Sequence, residues 1–154
     1  VTLAVDVGYG TRRPMAPSAR LLTRWAVAAA GRRGGHAVLS LRVVTPQESR
    51  RLNREYRGKD YATNVLSFPA GDLPVVTPLP LGDLVICAGV VAREAREQRK
   101  AARAHWAHMV VHGVLHLLGH DHEDEDDARR MERREVAVLR ALGYANPYRQ
   151  VPRG

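Results

Sequence analysis

After Cys87 the hydrophobic pattern is helical to the end, and that switch bounds the fold more tightly than any other feature of the chain. Before it, short β-rich runs in which apolar and polar residues mostly alternate are interspersed with helical stretches. TLAVDV (2–7), HAVLSLRVV (36–44), TNVLSF (63–68) and LGDLVIC (81–87) read as strands. SARLLTRWAVAAAG (18–31) reads as a helix, with Ser18 as N-cap and Gly31 as stop. Thr45 and Glu48 form a capping box around Pro46, so a second helix runs to about Arg57. Three more helices are expected over about 89–100, 102–118 and 125–142. The acidic run EDEDD suits the N-terminus of the last one, Arg140 suits its end, and Gly143 stops it.

Helical connections between the first three strands favour parallel pairing. The stretch GDLPVVTPLP (71–80) holds no helix, which favours an antiparallel pair of the last two strands. Its prolines are expected to keep it out of a central sheet. The fold class is therefore α+β with α/β character: a small mixed four-stranded sheet, mostly parallel with one antiparallel strand, packed with about five helices. The length of 154 residues fits one domain over 1–154, with a loose tail from about 144. Aromatic residues make up only 5% of the chain, so the core must be built mainly from Val, Leu and Ala. The single cysteine excludes an internal disulfide framework and a cysteine-rich zinc module, and Cys87 itself reads as a buried strand residue. No apolar run approaches ~20 residues and no secretory signal is visible, so no membrane span is expected and a cytoplasmic location fits. The net charge of +8 favours an anionic partner, nucleic acid first.

Six of the seven histidines fall within HWAHMVVHGVLHLLGHDH (105–122), which concentrates the chemistry in one place. His112 and His116 are four apart, so a helix presents both on one face. Gly119 then lets the chain turn, which can bring His122 back toward the same point. The spacing H-x-x-x-H-x-x-G-x-x-H is the zinc frame of metzincin peptidases except at one position. Three neutral imidazoles leave one place open on a zinc ion, the catalytic rather than the structural arrangement. Such an ion brings the pKa of a bound water down to about 7. Where metzincins carry a glutamate general base, this chain has Gly113, which disfavours a peptidase of that mechanism and is expected to free space beside the ion. His105 and His108 are expected on an exposed helix face, with support of the metal ligands as the alternative. His120 has no role from spacing. Asp121 either orients a ligand imidazole or stabilises the turn. Asp83, inside an apolar run, reads as a buried hydrogen-bond partner or as a group facing the metal.

HGVLHLLGHDH resembles the signature of the YbeY family of metal-dependent endoribonucleases. LNREYRGKDYATNVLSFP (52–69) and LGDLVIC (81–87) are similar to two further motifs of that family. One departure is His120, where the family usually has an aromatic residue. The resemblance implies one zinc per chain on His112, His116 and His122, and a functional arginine at Arg57. It implies a single-strand-type endoribonuclease in ribosomal RNA processing, notably at the 3′ end of small-subunit (16S) ribosomal RNA, and in ribosome quality control. Implied partners are the small ribosomal subunit, one of its proteins and the Era GTPase. The alternatives are a non-enzymatic ribosome-assembly protein with a structural zinc, and an atypical metallopeptidase. A guanidinium at Arg57 suits phosphate oxygens. Lys59 is expected to contact a phosphate or solvent. Asp60, Asn64 and Ser67 are expected to cap and hydrogen-bond. Arg93, Arg96, Arg99 and Arg103 are expected as a helical stripe along a phosphate backbone, or as a solvated face.

Overall fold

The computed structural model describes residues 2–12, 15–31, 36–71, 78–120 and 124–149. In chain order the elements are β1 (Thr2–Tyr9), α1 (Ala19–Ala30), β2 (His36–Val44), α2 (Pro46–Arg57), β3 (Val65–Pro69), β4 (Leu79–Cys87), α3 (Ala88–Glu97), α4 (Ala102–Leu117) and α5 (Glu125–Ala141). The helix starts follow the capping chemistry. The side chains of Ser18, Thr45 and Asp124 accept hydrogen bonds from the backbone N–H groups of Leu21, Glu48 and Asp127. Gly58 closes α2 in the left-handed conformation, at φ 71°.

Among the described residues the strands form one sheet in the order β1-β2-β4-β3. β1 runs parallel to β2, β2 parallel to β4, and β3 antiparallel to β4. The mixed sheet is as expected, but the neighbour of β2 is β4, not β3. The reason lies in the side chains. Leu84–Cys87 are buried on both faces, which suits a central strand, whereas five-residue β3 is mostly half-exposed and suits an edge. Leu79 and Pro80, expected outside the sheet, open β4 opposite Ala37 and Val38. Proline is tolerated there because it stands at the strand start, just before a register irregularity. Gly82 is obligatory in that irregularity: its φ is +135°, and a Cβ there would lie 2.2 Å from the Phe68 carbonyl oxygen.

Each face of the sheet has its own core. Leu39, Leu41, Leu84 and Ile86 belong to the large cluster with Leu22, Trp25, Val110, Val114 and Leu139, and so lie under α1, α4 and α5. Val44, Val85 and Cys87 face the other way with Val90 of α3 and Leu52 of α2. Asp83 shares the side of Val85 and Cys87 but is exposed. It is neither a buried partner nor placed in the wall of the cleft described below. Cys87 is buried and unbridged, as expected. Among the described residues no helix is long and apolar enough to cross a membrane.

α4 is the central helix, with every residue from His105 to Val111 buried. Gly113 seats it on the sheet: a Cβ there would lie 2.2 Å from Leu84 Cδ1. The expectation that Gly113 frees space beside a metal is therefore corrected. Its missing side chain is filled by the sheet.

The stretch from about 144, expected to be loose, is fastened within 144–149. The Tyr144 N–H donates to the Leu139 carbonyl at 2.8 Å, and its ring packs edge-on against Trp25. Lys100 Nζ donates to the Pro147 carbonyl at 2.9 Å.

Candidate metal centre and cleft

An open cleft of about 770 Å³ brings the two halves of the sequence together. One wall is the last turn of α4 and its exit, with His112, His116, Gly119 and His120. The other is Arg57 and Lys59 at the end of α2, with the 61–67 segment leading into β3. The helical four-residue spacing sets the rings of His112 and His116 beside each other, with centroids 5.0 Å apart. Gly119 ends the helix at φ +94°, where the His120 N–H donates back to the Leu115 carbonyl. His122 and Asp121, the next two residues of interest, lie outside the described residues.

Arg57 is exposed yet held. Its Nη2 donates to the Ser67 carbonyl at 2.7 Å, and its guanidinium stands 5.4 Å from the centre of the Phe68 ring. The loop behind it is fixed by two small polar residues of α2. Asn53 Nδ2 donates to the Tyr61 carbonyl, and Ser49 Oγ both donates to the Thr63 carbonyl and accepts from the Thr63 N–H. Sequence reading missed this pair. The signal was available: Ser49 and Asn53, four apart, are small residues in an otherwise charged helix, and both are 2% exposed. Asp60 takes a two-toothed hydrogen bond from Arg50, at 2.8 and 3.0 Å, which holds its carboxyl below the usual range. Ser67 Oγ donates to the Gly113 carbonyl at 3.2 Å, tying β3 to α4. Asp60 and Ser67 thus hydrogen-bond, as expected of them, and Ser67 joins one cleft wall to the other.

Behind the cleft the structure departs from expectation. His105 and His108 are buried, because carboxylates from other helices meet them. His105 Nε2 lies 3.0 Å from Glu94 of α3. Glu94 also accepts from Asn64 Nδ2 at 3.0 Å, so this pair reaches the opposite cleft wall. Burial pushes the His105 imidazole below its usual pKa, against the opposing pull of Glu94.

Glu135 of α5 is fully buried, and sequence reading missed it altogether. It stands among Met131, Val138 and Leu139 on the apolar stripe of α5, and a charge in such a stripe was the available signal. Its carboxylate accepts from His112 Nδ1 in a short hydrogen bond, from the Tyr148 hydroxyl in another, and from His108 Nε2 at 3.3 Å. Burial alone would raise its pKa. The three hydrogen bonds outweigh burial and hold it down to about 2. Burial and that carboxylate push the Tyr148 phenol up.

His108, His112 and Glu135 present ligand atoms within 4.8 Å of one another, so this group could hold a metal ion. Its contacts already join it by hydrogen bonds, with Tyr148 closing one side. An imidazole that gives Nδ1–H to a carboxylate offers a metal its other nitrogen, Nε2, on the far side of the ring. His112 lines the cleft next to His116, so the donor chemistry fits a metal on the cleft side.

The arginines at 93, 96, 99 and 103 do not form one helical stripe. α3 ends at Glu97, Arg99 sits in the turn with φ 55°, and Arg103 opens α4. All four are exposed.

The family model described as endoribonuclease YbeY matches residues 18–143. Two curated proteins named endoribonuclease YbeY, from Stenotrophomonas maltophilia strains R551-3 and K279a, are each 55% identical over 152 residues. Each alignment covers 96% of this chain and 94% of the relative. The solution structure of TM1509 from Thermotoga maritima superposes with a TM-score of 0.58. It is 22% identical, with 94% of this chain and 99% of that one covered, and so speaks for the fold.

Proposed function

The chain belongs to the YbeY endoribonuclease family, and from that premise we propose that it is a zinc-dependent endoribonuclease of ribosomal RNA processing. The observation that carries this reading is the single cleft that holds Arg57 opposite His112 and His116. A phosphodiester carries a negative charge that such a guanidinium complements, and a peptide bond does not.

His112, His116 and His122 would hold the ion, the third on the strength of its spacing after Gly119. When bound, zinc supplies Lewis acidity and an activated water. Three imidazoles make zinc the default among divalent ions. The chain's own residues do the rest. Arg57, steadied by the Ser67 carbonyl and the Phe68 ring, takes phosphate oxygens and stabilises charge that develops on them. Lys59, exposed on the same wall, contacts a neighbouring phosphate. Processing at the 3′ end of small-subunit (16S) ribosomal RNA, ribosome quality control, a small-subunit ribosomal protein and the Era GTPase as partners, and a cytoplasmic location all rest on the family resemblance.

His120 on the same wall favours a second reading: a structural zinc closed by a fourth imidazole, in an assembly protein without catalysis. One set of measurements separates the two. The purified chain should hold about one zinc and cut structured ribosomal RNA. Arg57→Ala should keep the zinc and lose about 10²–10³ in rate. His112→Ala should lose both. Normal cutting by the Arg57 variant would remove the phosphate-clamp role, and intact zinc without any cutting by the wild type would favour the structural ion.

A further inference from the structure

We infer that Glu135 is a positioning residue for the metal centre, and that Tyr148 from the C-terminal segment completes it. The inference rests on the zinc reading above and adds residues that lie outside the three-histidine frame.

A free imidazole exchanges its proton between Nδ1 and Nε2, and its ring turns about two side-chain torsions. Either freedom weakens a metal ligand, because ligation needs one deprotonated nitrogen in one direction. The Glu135 carboxylate removes both freedoms at His112. As an acceptor it requires Nδ1–H, which leaves Nε2 as the ligating nitrogen. It also fixes the ring plane, since the hydrogen bond is directional.

The carboxylate must itself be fixed for this to work. Glu135 has no solvent exposure, so a loosely held charge there would be strongly disfavoured. Two further donors anchor it. His108 Nε2 approaches from α4, one turn before His112, and the Tyr148 hydroxyl approaches from beyond the end of α5. Tyr148 is in turn secured by its own segment. Its N–H donates to Asn146 Oδ1 at 2.9 Å, its ring stacks edge-on to His108 at 5.4 Å, and Lys100 holds the preceding carbonyl. The stretch 144–149 thus belongs to the metal centre, although its residues are far from the histidine motif in sequence.

The experiment measures Zn²⁺ affinity of the purified full chain by competition with a chelator. It is paired with the imidazole ¹⁵N resonances of His112 in the metal-free protein. Glu135→Gln should weaken zinc by about 10–100-fold and move His112 away from the Nδ1–H form. Tyr148→Phe, which deletes one hydroxyl, should weaken zinc by a smaller factor. An unchanged affinity in a folded Glu135→Gln protein overturns the inference while leaving the zinc reading intact. If Glu135→Gln does not fold, Tyr148→Phe decides: a loss of affinity supports the inference and none overturns it. A wild-type chain that takes up no zinc overturns the zinc reading, and this inference with it.

Discussion

Two of the histidine–carboxylate pairs on α4, two turns apart, have their burial reversed. In His105–Glu94 the imidazole is 3% exposed and the carboxylate 24%. In His112–Glu135 the carboxylate is 0% exposed and the imidazole 26%. In each pair the buried member is fixed and the other is presented. The first pair presents a carboxylate to Asn64 on the opposite wall, which is a structural tie. The second presents an imidazole to the cleft, where the proposed zinc would take it. On that reading the same two residue types on the same helix serve cohesion in one place and metal binding in the other, and which group is buried decides.

Both pairs depend on one seat, the contact of Gly113 with Leu84. The largest effect is therefore expected from Gly113→Glu, the residue a metzincin would carry there. Its side chain has no room on the sheet, and its charge would be buried without a partner, a loss of at least about 3–5 kcal/mol. Gly113→Ala should be milder, about 1–3 kcal/mol from overpacking, partly offset by roughly 1 kcal/mol of helix propensity. Urea denaturation with and without zinc measures both. A Gly113→Glu protein of normal stability would show that α4 is not held by this contact, and that the two pairs need not move together.

Much of this was legible from the sequence, for identifiable reasons. Helix starts are local, so the caps Thr45 and Ser18 announced α2 and α1, and the acidic run EDEDD announced α5. The His112–His116 face is also local, since four residues make one turn. Non-local partners were not legible. Strand order depends on which strand comes to lie beside β2, and the helical connections favoured β3 where the sheet has β4. His105 and His108 looked exposed because their carboxylates come from α3 and α5. Glu135 left a trace, a charge among Met131, Val138 and Leu139, that a helical-wheel reading can find. Tyr148 left none, because nothing in ANPYR signals a contact with α5.

The next effect separates the two pairs. Glu94→Ala removes the acceptor of buried His105 and should cost about 1–3 kcal/mol, the usual loss when a buried polar group is left unmatched. It should leave zinc affinity where it was, because Glu94 pairs with His105, two turns from His112. Calorimetric stability together with a zinc competition curve tests this. A drop in affinity comparable to that of Glu135→Gln would erase the distinction between the tie and the ligand support.

The smallest effect is a pH dependence that arises from His105 in the first pair. His105 faces Glu94, Lys100 and His108. Burial holds its folded pKa below the ordinary histidine value, more strongly than Glu94 raises it. Above about pH 6.5 the imidazole is neutral in both the folded and the unfolded chain, and its contribution to stability is fully present. As pH falls below that point the unfolded chain takes up the proton first, so stability declines until the folded group protonates as well. The urea midpoint should therefore fall from pH 7 toward pH 5 in the metal-free protein, with an unchanged slope. His105→Gln cannot take up that proton and should flatten this part of the profile. An equal decline in His105→Gln would assign the titration elsewhere on α4, and the reversed burial of the two pairs would then carry no difference in their response to pH.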